Sequence, residues 1–164
     1  MNPAEALKHV IMPTLEWMGK DRIQLASPHA GRLILAAAIQ ESDLMHRHQI
    51  GGPAHGFGQE EPIGAAEALR IDNSILRTRF LDRIGLPQDA VELHRALEWS
   101  EIGMVISARL KLWPISAPLP ASAFDEAVAW HQYKTAWKPG KPHRHRWQHS
   151  WSTACQAMTD VGLP

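Results

Sequence analysis

Residues 27–59, SPHAGRLILAAAIQESDLMHRHQIGGPAHGFGQ, decide the fold. Ser27 is a favourable N-cap and Pro28 suits the first helical position, so a helix is predicted to begin there and run to Met45. Leu33 to Ile39 is apolar on every face, the mark of a helix enclosed by others rather than laid on a surface. The stripe Ala30, Leu33, Ile34, Ala37 and Ala38 continues at helical spacing to Glu41, which puts a carboxylate where the period wants a hydrophobe. Burial disfavours the charged form, so the pKa of such a carboxylate is expected to rise toward the range of a general acid. The competing reading places Glu41 one step past the buried turn, pointing into water. Beyond Met45, the polar run His46 to Gln49 and then Gly51-Gly52-Pro53 break any regular element, and the glycines permit close backbone approach.

Outward from this stretch, the 164 residues suit one domain, 1–164, with room for a single core. Seven tryptophans fit a large apolar core or an aromatic-lined groove. Formal charge is balanced overall, yet residues 134–149 carry Lys134, Lys138, Lys141, Arg144 and Arg146 with no acid. Such a segment attracts anionic polymers: peptidoglycan with its peptide carboxylates, teichoic acid or nucleic acid. Cys155 is the single cysteine, which excludes an internal disulfide and a thiolate zinc cluster; it reads as a small buried hydrophobe. No apolar run reaches the roughly 18 residues a bilayer span needs, and MNPAEALKHV lacks the pattern of a secretory leader. No membrane insertion is expected, and a substrate outside the cytoplasm would need another means of delivery.

The remaining pattern is helical. A first helix is predicted from Pro3 to Met18, bent at Pro13 and ended by Gly19. Helices follow from Pro62 to Arg70, from Asn73 or Ser74 to Ile84 with Gly85 as cap, and from Pro87 through Leu97. The run Trp99 to Trp113 is again strongly apolar, and Pro114, Pro118 and Pro120 stiffen the loop after it. Ser122-Ala-Phe-Asp125 has the form of a capping box, predicting a helix from Ala123 to Trp137. A basic Pro/Gly-rich connector around 138–146 gives way to a last helix from Arg144 through Trp147 and Trp151 to Met158.

The helix ending in Glu41-Ser42, followed after a short loop by Gly56-Phe57-Gly58-Gln59, resembles the lysozyme-like superfamily. Within it the pattern is most similar to lytic transglycosylases and goose-type lysozymes, and the run QESDLMHRHQIGGPAHGFGQEEP to small bacteriophage proteins. The resemblance implies a mainly α, lysozyme-like domain with a glycine-rich loop or short β-hairpin beside the catalytic helix. It implies Glu41 as catalytic acid and base, Ser42 supporting the carboxylate, and Gln59 positioning the sugar, with Gly56 and Phe57 in the cleft wall. Ala129-Trp130-His131 and Tyr133 stand where the family carries Ala-Tyr-Asn, so Trp130, His131 or Tyr133 would line the opposite wall. The replacement of asparagine by His131 departs from that pattern.

Other chemistries have weaker signals. His46-x-His48 and His143-x-His145 with His149 lack the three converging ligands of a histidine zinc site, so neither a metal nor another cofactor is expected. A G-x-S-x-G elbow is absent, as are nucleotide-binding fingerprints. Glycoside hydrolysis needs a second carboxylate, for which Glu60, Glu61 and Glu101 are candidates that spacing does not separate. Asp43 falls on another helix face than Glu41. The expectation is therefore a peptidoglycan-cleaving enzyme with one catalytic Glu. It would act on glycan strands as a phage lytic transglycosylase or endolysin, in the virion or released from the host cytoplasm. The alternative is an inactive phage structural or wall-binding protein of the same fold, with virion proteins as partners; nucleic acid is the least supported partner.

Overall fold

The computed structural model describes residues 1–70 and 80–164, which are mainly helical. Helix α1 (Pro3–Ala6) is capped by the Asn2 side chain, which accepts from the Ala4 N–H at 2.9 Å. A π turn, Leu7–Ile11, then leads into α2 (Met12–Gly19). This is how the bend expected at Pro13 is realised: proline has no N–H to give, and the turn before it widens to i−5 bonding.

Helix α3 (Pro28–Ser42) starts as predicted, with Ser27 Oγ accepting from the Ala30 N–H. Leu33 to Ile39 are all buried, and α3 touches α1, α2 and each of three later helices. Its four large aliphatic side chains, Leu33, Ile34, Leu35 and Ile39, each contribute about 1.5–3 kcal/mol of burial. The helix ends at Ser42, not Met45, because Asp43 and Leu44 both adopt left-handed backbone (φ 51° and 58°). That pair turns the chain out of the helix and buries Leu44.

The glycine-rich segment carries two isolated antiparallel bridges, His48 with His55 and His55 with Glu60, rather than paired strands. Helix α4 (Pro62–Arg70) starts at the predicted Pro62 and is described as far as Arg70. The next predicted helix lies mostly outside the described residues, Leu76 included. Its end is described: Phe80 and Leu81 are buried, Asp82–Ile84 form a 3-10 turn, and Gly85 caps it at φ 70°.

Helix α5 (Ala90–Leu97) starts later than Pro87 implied, because the Asp89 carboxylate takes the N–H groups of Val91 and Glu92. Ser100 caps α6 (Glu101–Leu112), leaving Trp99 outside and exposed. Gly103 has no room for a Cβ against Leu86. Helix α7 (Glu126–Trp137) begins three residues after the predicted Ala123. Only half of the capping box forms: Asp125 Oδ2 accepts from the Ser122 N–H at 2.8 Å, which closes a turn ahead of the helix. Helix α8 (Arg144–Asp160) begins at the predicted Arg144, runs two residues past Met158 and packs along α3. Trp147 and Trp151 are buried in the core, whereas Cys155 is only half-buried and its thiol is pushed up mainly by burial. Among the described residues, no helix is long and apolar enough to cross a membrane.

Candidate active site

The last turn of α3 holds Glu41 half-buried at the wall of a cavity of about 500 Å³. Helix α7 brings Tyr133 to the same wall, and its hydroxyl donates to Glu41 Oε1 at 2.5 Å. Tyr133 is buried, with its ring stacked on Trp147 (centroids 4.7 Å apart) and on Trp137 (5.9 Å). Its ring is thereby held by one side chain of its own helix and one of α8, and so is the hydroxyl. The Tyr133 pKa is raised by burial first and then by the Glu41 charge, so the phenol remains a donor.

Burial raises the Glu41 pKa above the ordinary carboxylate value. The Tyr133 hydrogen bond and the Lys111 charge partly offset this, while Glu60 and Glu61 push it up again. Lys111 comes from the buried face of α6, and its Nζ lies 2.9 Å from Glu60 Oε2. Both partners are buried, and burial pushes the Glu60 carboxyl up despite the pairing. Among the described residues Glu60 Oε1 has no hydrogen-bond partner, and it packs against Gly64, where a Cβ would overlap it.

The three carboxylates that spacing left equivalent are now distinct. Glu60 is sealed against Lys111, and Glu101 pairs with Arg47. Glu61 is exposed and shares the cavity with Glu41. Asp43, on its own face, pairs with Arg146 at 3.0 Å.

Of the site residues that the resemblance implied, the cavity brings together Glu41, Gln59 and Tyr133. Gln59 sits at φ 45°, and its side-chain amide donates to the carbonyls of Gly56 (2.9 Å) and His46 (3.2 Å). Ser42 is buried, and its hydroxyl is directed at the Phe57 carbonyl at 2.6 Å, so it ties the loop to α3 rather than reaching the Glu41 carboxylate. Phe57 itself is a core residue. Gly56, at φ 70°, packs so closely that a Cβ would lie 2.6 Å from the Leu97 carbonyl. Trp130 lies behind Tyr133, between the Trp147 ring and the Arg144 guanidinium. His131 is exposed and lines a different, larger groove of about 1030 Å³ between α4, α7 and the proline-rich loop.

Sequence reading missed Lys111, although its signal was the one that picked out Glu41: a charge at a position where the apolar run should continue. Of the basic segment that composition singled out, Lys141 and Arg146, with His143 beside them, border the cavity mouth, a placement that composition alone could not give. Much of that segment is less available than its composition implied, since Lys138 pairs with Glu67, Arg144 with Glu126 and Arg146 with Asp43. As to metal-ligating groups, His48, His55 and Glu98 bring three ligand atoms within 4.8 Å of one another.

Compared with protein-family models, with curated proteins and with solved structures, the chain finds no match.

Proposed function

We propose that the protein cleaves the MurNAc–GlcNAc β-1,4 linkage of peptidoglycan, with Glu41 as the single acid and base. The observation that carries this reading is the position of Glu41. Its carboxyl is held toward the protonated form by burial, gripped by Tyr133, and opens on a cavity within the usual size range of ligand sites. Glu41 gives its proton to the glycosidic oxygen as the bond to C1 of the muramoyl residue breaks. The 6-hydroxyl of that residue then closes on C1, and its proton returns to Glu41, leaving an anhydro end. Lys141 at the rim suits the carboxylates of the wall peptides. A phage enzyme, used from the virion or released at lysis, is the setting that the motif resemblance supports.

A second reading, a wall-binding protein of the same fold without turnover, is favoured by the placement of His131 outside the cavity. Digestion of purified peptidoglycan followed by mass spectrometry separates the two. Anhydro-terminated fragments support the transglycosylase, reducing ends a hydrolase. Binding with no fragments at all would overturn the enzymatic reading.

A further inference from the structure

The glycine-rich loop carries a second cluster on the side of α5. His48 and His55 oppose each other across an antiparallel bridge, with ring centroids 4.8 Å apart. Glu98, the C-cap residue of α5, reaches both: its Oε2 lies 3.4 Å from His48 Nδ1 and 3.5 Å from His55 Nε2. These separations exceed those of good charge-assisted hydrogen bonds, about 2.7–2.9 Å. They match the edge of a tetrahedron with metal–ligand bonds of about 2.0–2.1 Å, which is about 3.3–3.4 Å.

The hydrogen-bond partners point the same way. His55 Nδ1 lies 3.1 Å from the His94 carbonyl, so in the neutral ring the proton sits on Nδ1 and the bare Nε2 faces the Glu98 carboxylate. Two acceptors then confront each other, an arrangement that a bound cation relieves. A backbone carbonyl behind one ring nitrogen is also the usual outer support of a metal-bound histidine. The His94 ring, stacked on His55 at 4.1 Å and held by the Glu60 carbonyl, fixes the ring from behind.

We propose that His48, His55 and Glu98 bind one divalent transition-metal ion of the zinc class and so pin the glycine-rich loop to the end of α5. Three protein ligands leave a fourth position for water, and the exposure of His48 keeps that position open to solvent. The ion would steady the loop that carries Gln59 and Glu60. Sequence spacing had offered the wrong pairs: His48 joins His55 and Glu98 instead of His46.

The test strips the purified full chain with a chelator, then titrates zinc in competition with a chromophoric indicator. One ion per chain is expected. Glu98→Gln and His55→Ala each weaken binding at least about tenfold. Replacing His143 and His145 by alanine leaves it unchanged. His48 is an exposed loop residue, so His48→Ala keeps the fold, checked by circular dichroism, and separates lost binding from unfolding. Zinc raises the Tm of the wild type but not of His48→Ala. Cobalt in the wild-type site gives the visible bands of a four-coordinate ion. No zinc uptake at micromolar free metal overturns the proposal, as does uptake that survives both His48→Ala and Glu98→Gln. Metal content is the readout, so the outcome is independent of peptidoglycan cleavage.

Discussion

The Tyr133 hydroxyl donates to Glu41 Oε1 at 2.5 Å, joining α7 to the end of α3 across 92 residues of sequence. Glu41 thus meets two opposed influences: burial, which favours the proton on the carboxyl, and a donor that favours the carboxylate. Burial is the larger.

Tyr133→Phe removes that donor and leaves the burial, so the Glu41 pKa rises further. A general acid works while protonated, and the falling limb of the pH–activity profile is expected to move to higher pH. Profiles of peptidoglycan release for wild type and variant measure this. A limb that moves down or stays in place would mean that Tyr133 does not tune Glu41.

Glu41→Gln should lose activity by at least about 10²–10⁴-fold and at the same time stabilise the fold at neutral pH. Glu41 has a folded pKa above its ordinary value of 4.5. The folded state therefore binds the proton more tightly, and its contribution is full below that value and lost as pH rises through the raised one. The variant stays neutral throughout. Its Tm advantage should be present at pH 7 and vanish below the unfolded-state pKa, as thermal unfolding over a pH series will show. An advantage that is the same at every pH would contradict this account.

The α3 helix was legible because its signals are local: Ser27, Pro28 and an unbroken apolar run act within one element. Its end was not, since Asp43 and Leu44 go left-handed for tertiary reasons, one pairing with Arg146 and the other entering the core. Glu41 could be found for the same reason as the helix, but its partners could not. Trp130, His131 and Tyr133 share one short segment, and only the rotation of α7 against α8 decides which of them meets Glu41. Likewise Glu60 and Glu61 are neighbours in sequence, yet one is sealed against Lys111 and the other lines the cavity.

Glu61 separates the two mechanisms of bond cleavage. If Glu41 works alone, Glu61→Gln keeps activity within about tenfold, against the far larger loss in Glu41→Gln. Its negative charge raises the Glu41 pKa, so removing it should also draw the falling limb slightly to lower pH. A Glu61→Gln variant as inactive as Glu41→Gln would instead establish a two-carboxylate glycosidase.

The Lys111–Glu60 pair ties the site to stability. Lys111→Met leaves a buried carboxylate without its cation and should cost about 3–5 kcal/mol in denaturant unfolding. It also removes a charge that lowers the Glu41 pKa, so the activity limb should move upward. Adding Glu60→Gln to Lys111→Met takes away the orphaned charge, so most of the stability should return, and the Glu41 limb should fall part of the way back because the Glu60 charge that raised its pKa is gone as well. Gly64→Ala probes the pair from the other side: the new methyl overlaps Glu60 Oε1 and should cost about 1–3 kcal/mol. A double variant no more stable than Lys111→Met alone would show that Lys111 acts through packing and not through its charge.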